Sequence, residues 1–260
     1  MPVRALIALA ALAFLGTLLV RLPAGMLTPW LPAAVRCNEA SGTLWSGACA
    51  ELATSAGTVQ GLRWSLHPLA LLRLRVVADV SSDDPGISAR GTVDFGPDGS
   101  LELRGFSANV PLPDKFGALP RNLAGNLQLM DVQALLPHAL QRTAHFAALS
   151  GRAELRHVQF ELPRELASMV GTSTPELTLG DYAAQFTPQP AGSPILGQLR
   201  DLNGPMSLAG QLRVQANGAY QVAGTVAARA GAPMLLEQLL QLLGPPDAAG
   251  RHSFALSGTY

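Results

Sequence analysis

Gly91-TVDFGPDGSLELR-Gly105 decides the fold. Before its turn, Val93 and Phe95 alternate with Thr92 and Asp94. After it, Leu101 and Leu103 alternate with Glu102 and Arg104. That period of two describes strands buried on one face, and Ile87 and Ala89 extend it backwards. A three-residue loop, with a type I turn at Pro97-Asp98 and Gly99 in the left-handed region, opposes Phe95 to Leu101 and Val93 to Leu103. All four then share a face. A two-residue loop would slip the register by one and turn one strand's apolar set outward.

Gly210-QLRVQANGAYQVA-Gly224 repeats the pattern, with the turn at the same offset. A two-residue turn at Asn217-Gly218 would oppose Val214 to Gln221. Reading the loop as Ala216-Asn217 with Gly218 left-handed opposes Val214 to Tyr220, Leu212 to Val222 and Leu208 to Val226, so burial selects the longer loop. Two Gly-to-Gly hairpins, with further Gly-x-apolar openings at Gly125 and Gly151, read as a degenerate hairpin repeat. Facing glycines at hairpin bases allow the sheet to kink or coil.

Strand parity also breaks in a regular way. Leu101 and Leu103 give way to Phe106, Ala108 and Val110. Ala153 and Leu155 give way to Val158, Phe160 and Leu162, and Leu177 and Leu179 to Tyr182, Ala184 and Phe186. Each skip of one residue is what a β-bulge produces, the alternative being a short turn between two strands. Bulges at similar heights on successive strands would bend the whole sheet. Cover for its apolar face comes from few segments: Leu66 to Arg73, opened by Pro68; Arg164 to Val170; and Pro233 to Leu243. The last is bounded by Pro233 and by Gly244-Pro245-Pro246. Its wide leucine face predicts docking on the sheet, the alternative being contact with a membrane surface or partner.

Composition narrows the function classes. The 260 residues are 48% hydrophobic but only 14% charged, and 18 basic side chains balance 18 acidic ones. A globular chain is usually about a quarter charged. No basic excess is present to neutralise phosphates, so no nucleic-acid partner is expected. Lys115 is the only lysine, and the arginines are scattered singly, as GC-biased codon usage would produce.

Ala5 to Val20 is an uncharged apolar run closed by Arg21. As a helix it spans about 24 Å, short of a hydrocarbon core of about 30 Å but longer than a usual signal-peptide core. Arg4 and Arg21 can snorkel to lengthen it. Leu22-Pro23-Ala24 is a poor cleavage site, which favours an uncleaved signal-anchor over a signal peptide. The expected organisation is a cytoplasmic tip at 1–4, a transmembrane anchor at 5–21, a juxtamembrane segment at 22–34 and a periplasmic body at 35–260. Cys37 and Cys49 would then meet an oxidising compartment, which predicts a disulfide; the alternative is two buried thiols. Ser41-Gly42 is the turn signal between them.

Catalytic signatures are missing. The five histidines (His67, His138, His145, His157 and His252) include no pair at helical metal spacing. No nucleophile elbow, P-loop or dinucleotide fingerprint occurs. Asp83-Asp84, the one adjacent acidic pair, precedes Pro85-Gly86 and reads as turn chemistry. No catalytic residue, metal or cofactor is expected.

Ser41-Gly42-Thr43-Leu44-Trp45-Ser46-Gly47, followed by Trp64, Pro68 and Leu71-Leu72, resembles the N-proximal signature of the general secretion pathway protein N family of bacterial type II secretion systems. Leu243-Gly244-Pro245-Pro246-Asp247 leading to Gly258 is similar to that family's ending. The resemblance implies a non-enzymatic, single-pass inner-membrane subunit with a β-rich periplasmic body that supports export of folded proteins. Its partners would be the secretin or inner-membrane platform proteins. The residues equally describe a mainly β chain: an N-terminal transmembrane helix, then a strongly curved, extended, half-barrel-like antiparallel sheet with a few covering helices. That description also fits the AsmA and TamB group of envelope proteins, in which an apolar β-groove binds or transfers lipid.

Overall fold

In a computed structural model, described at residues 14, 17–18, 20–26, 36–54, 57–84, 86–112, 123–139, 141, 144–162, 176–190 and 192–259, the body is one antiparallel sheet. Its strands are β1 (Arg36–Gly42), β2 (Ser46–Thr54), β3 (Gly57–Leu66), β4 (Val76–Asp84), β5 (Ile87–Phe95), β6 (Leu101–Leu112) and β7 (Leu123–Leu136). They continue as β8 (Ala148–Glu161), β9 (Glu176–Phe186), β10 (Ile195–Asn203), β11 (Met206–Val214), β12 (Ala219–Ala228) and β13 (His252–Thr259). Spatial order equals sequence order, and the sheet does not close.

Both hairpins have the expected register. Phe95 opposes Leu101 and Val93 opposes Leu103. Gly96 and Ser100 close the loop at 2.9 Å, with Gly99 at φ +76°. Val214 opposes Tyr220, Leu212 opposes Val222 and Leu208 opposes Val226. Gly210 and Gly224 face each other, but Gly91 and Gly105 do not. A bulge separates Thr92–Arg104 from Arg90–Ser107, so Gly91 lies against Phe106 instead.

The three parity skips coincide with register shifts, at Leu103/Phe106, Leu155/Val158 and Val158/Gln159. They fall in two rows, not one. Gly105, Asp131 and Gly151 are neighbours in the first; Gly125, His157 and Gly180 are neighbours in the second, and all six have positive φ. The second row is clamped by a side chain, since the His157 amide donates to Asp181 at 2.7 Å.

Strands β1 to β3 carry little alternation, and the disulfide staples the first pair. Cys37 is bonded to Cys49, with 5.8 Å between Cα atoms. The turn between them is not at Ser41-Gly42: Gly42 remains paired with Gly47, and the chain reverses over Thr43–Ser46, whose backbones bond at 2.9 Å.

Because the sheet is a meander, its connections separate into two ends. Residues 43–45, 67–75, 96–100 and 215–218 lie at one, here the proximal end. Residues 204–205 and 229–251 lie at the other, the distal end. The segment expected as a helix from Leu66 is a 3-10 helix, Pro68–Arg73, because Leu66 still belongs to β3. The leucine helix is α1 (Met234–Gln241), at the distal end. Leu236 and Leu240, one turn apart, are its buried residues, and Leu236 packs with Leu162 and Leu177. Leu239, Leu242 and Leu243 remain exposed. The helix expected at Arg164 to Val170 lies outside the described residues.

Among the described residues, no second layer covers the sheet. The apolar face is instead thin, with aromatic rings laid over glycines of the next strand. Trp64 covers Gly47, Phe106 covers Gly91, Phe186 covers Gly197, Phe254 covers Gly224 and Tyr220 covers Gly258. Such pairs bury a ring without a facing layer. High glycine content and a 5% aromatic share are thus two sides of one packing device.

The opposite face is polar and held by two buried carboxylates. Asp94, 2% exposed, accepts from Arg75 at 2.8 Å and pairs with Arg104 at 3.0 Å. Glu154, also 2% exposed, takes Arg152 on one oxygen and Arg156 on the other, the latter Nε at 2.7 Å. Guanidinium forks from neighbouring positions thereby replace water around each acid.

Tyr182 sits at the second bulge row, donating to the Leu179 carbonyl at 2.5 Å. Burial, then the nearby Asp201 charge, push its phenol up to about 12 from an ordinary 10.0. A folded-state pKa above the unfolded one gives stability that is present below pH 10 and lost as pH rises towards 12. Spectrophotometric titration is expected to show a tyrosine ionising near pH 12, and Tyr182→Phe to abolish that late step.

Candidate functional site

The two signature segments lie at opposite corners of the sheet, and each builds an edge. At the proximal corner, Leu44 is the hub. Its carbonyl accepts from the Trp64 indole at 3.1 Å, and its amide donates to the Leu22 carbonyl at 2.8 Å. Thr43 forms a bridge with Pro23. Trp45 accepts the Leu66 amide at 2.7 Å, which delivers the chain to Pro68. A Cβ on Gly47 would collide with the Trp64 ring and, at 2.8 Å, with the Ser41 carbonyl. Ser41, Gly42, Thr43, Leu44, Trp45, Gly47, Trp64 and Pro68 are therefore one construction, a clasp that grips residues 22–23.

At the distal corner, Gly244, at φ +109°, ends the turn after α1, and its carbonyl accepts from buried His252 Nδ1 at 2.7 Å. Pro245 and Pro246 follow. Asp247 then folds the chain back, accepting the Ala249 and Arg251 amides at 2.8 and 2.9 Å. Those bonds hold the Asp247 carboxyl below the usual range, the Arg251 amide contributing most. The motif thus aims the chain into β13, where Gly258 lies beneath Tyr220.

Residues 33–255 match the family described as Type II secretion system (T2SS), protein N. The chain belongs to that family. A Type II secretion system protein N from Aeromonas hydrophila is 29% identical over 261 residues, covering 96% of each chain. No solved structure matches. A component of a secretion system interacts with other subunits, and an open sheet offers them its two edges.

The two edges differ sharply. On β1, Arg36 and Glu39 are charged, Glu39 interrupts the ladder at φ +56°, and just past the strand's end Thr43 is bridged by Pro23. Charges, irregular backbone and cover are how sheets blunt an edge. On β13, HSFALSGT has no Lys, Arg, Asp, Glu or Pro, and it pairs with β12 in unbroken register from His252 to Thr259. Its outer side faces no strand among the described residues. Leu256 is 65% exposed there. Sequence reasoning singled out Gly258 but not the edge, although the absence of charge over 252–259 was legible. The Leu22–Leu44 and Pro23–Thr43 contacts had no sequence signal, since backbone groups make them.

Among the described residues, no three His, Cys, Asp or Glu side chains are grouped to hold a metal. Among them also, no helix is long and apolar enough to cross a membrane; the anchor expected at 5–21 and the segment at 22–34 lie mostly outside those residues. Arg21 does donate its amide to the Thr17 carbonyl at 3.1 Å, one helical turn back.

Proposed function

We propose that the chain is a non-enzymatic subunit of the secretion apparatus, anchored in the inner membrane by residues 5–21, that binds another apparatus subunit by strand addition on β13. The periplasmic body would be residues 35–260, bent into a half-barrel by its two rows of bulges, because each bulge adds local twist and bend. The carrying observation is the contrast between a charged, interrupted β1 edge and an uncharged, regular β13 edge. A secretin or platform-protein segment in extended form would satisfy the free backbone groups and place alternate side chains beside Leu256.

The test is affinity purification of the full chain from membranes that contain the apparatus. Leu256→Lys with Ser257→Lys charges the edge without touching buried residues. We expect co-purification of its partner subunit to fall at least tenfold while the unfolding midpoint stays within about 2 °C. Undiminished co-purification would rule out strand addition at β13.

A second reading has its own support. Among the described residues the apolar face lacks a covering layer, and a groove of that kind would shield lipid tails, as in AsmA- and TamB-like proteins. Detergent-free body that carries no lipid in native mass spectrometry would count against it.

A further inference from the structure

The proximal end carries an apolar feature that the fold does not use. Between β3 and β4 the 3-10 helix and its cap hold Leu69, Leu71, Leu72 and Leu74, all exposed, and no residue of that helix is buried. Leu72 is 83% exposed and Leu74 76%. Leu74 is also left-handed, at φ +55°, where a leucine is strained and glycine would not be. A strained leucine left mostly in solvent at a position suited to glycine gives folding little return. Between these leucines, Arg73 projects into solvent and has no ion-pair partner among the described residues. The clasp fixes where this turn lies. Leu22 is bonded to Leu44, Trp45 to Leu66, and His67 to Val77 at 2.8 Å, so the end of the N-terminal apolar run and the leucine turn leave the sheet together.

We propose that Leu69–Leu74 inserts into the outer leaflet of the same phospholipid bilayer that holds residues 5–21. Leu69, Leu72 and Leu74 enter the acyl boundary, and the Arg73 guanidinium pairs with lipid phosphate at the level of the headgroups. With the clasp, this second contact gives the body two points of attachment and so sets its orientation on the membrane, β1 and the proximal loops towards lipid and α1 away from it. The inference rests on the reading of 5–21 as an anchor.

The experiment uses the full chain in phosphatidylethanolamine–phosphatidylglycerol vesicles, the native cysteines remaining as the disulfide. A single environment-sensitive fluorophore is attached at Leu15→Cys, Leu72→Cys or Leu242→Cys. Labels at 15 and 72 are expected to be shielded from an aqueous quencher at least fivefold relative to the label at 242. A shielded 15 with an accessible 72 overturns the insertion and leaves the anchor standing. Accessibility at both positions overturns the anchor and the insertion together. A separate variant, Leu74→Gly, is expected to raise Tm by about 2–4 °C by relieving the left-handed strain. A lowered Tm would mean that Leu74 serves internal packing, which contradicts the proposal.

Discussion

Gly224→Val is expected to destabilise the body by about 4 kcal/mol or more. A Cβ at 224 would stand 2.6 Å from the Gly210 Cα, against the Ala209 carbonyl, and 3.0 Å from the Phe254 ring. Two of those three obstacles are backbone, which cannot rotate aside. The strands must separate, and Phe254 loses the flat surface on which it is buried. In a two-layer protein a facing sheet could absorb part of this strain, but here the ring-on-glycine contact is itself the packing. Gly25→Ala provides the comparison, since a Cβ there meets nothing within 4 Å, and a change within about 0.5 kcal/mol is expected. Urea unfolding of both variants measures the difference. A mild Gly224→Val would mean that the apolar face is stabilised in some other way.

Glu154→Gln is the second large effect, expected at about 2–3 kcal/mol. Glu154 is the common acceptor for Arg152 and Arg156, and its loss leaves two guanidiniums side by side with Asp181, 3.5 Å from Arg156, as the remaining acid. Both arginines are about one-third exposed, so water relieves part of the cost and places the value below that of a fully buried pair. Salt should narrow the gap between Glu154→Gln and the native chain only slightly, because the carboxylate itself is sealed. Glu102→Gln, at a carboxylate about one-third exposed where Glu154 is sealed, should cost less than about 1 kcal/mol. Equal losses at both positions would contradict the account of the polar face.

The regions that could be read from the sequence are those where burial leaves only one register. In β5–β6 and β11–β12 the alternating apolar residues permit a single loop length, and the structure has it. Bulges were visible as skipped parity because each displaces one side chain to the other face. Their arrangement in two rows was not, since height on a strand depends on loops that carry no periodic signal. β1 and β2 escaped for the opposite reason: RCNEASG and SGACAELAT have almost no alternation, and the disulfide and the turn at Thr43–Ser46 hold them instead. For α1 the sequence showed an apolar helix, but only packing could decide that Leu236 and Leu240 face inward and Leu242 outward. As for the candidate site, the sequence marked its residues without revealing why they go together. Trp64 and Gly47 are separated in the chain, and their relation is a ring lying where a Cβ would be.

The most direct test of the central claim is secretion itself. Cells lacking the native chain would be supplied with the native form or with Leu256→Lys/Ser257→Lys, and the extracellular yield of a folded substrate measured at matched membrane levels of each form. The account predicts that the native chain restores secretion while the edge variant gives at least a tenfold lower yield. Full restoration by the edge variant would contradict it.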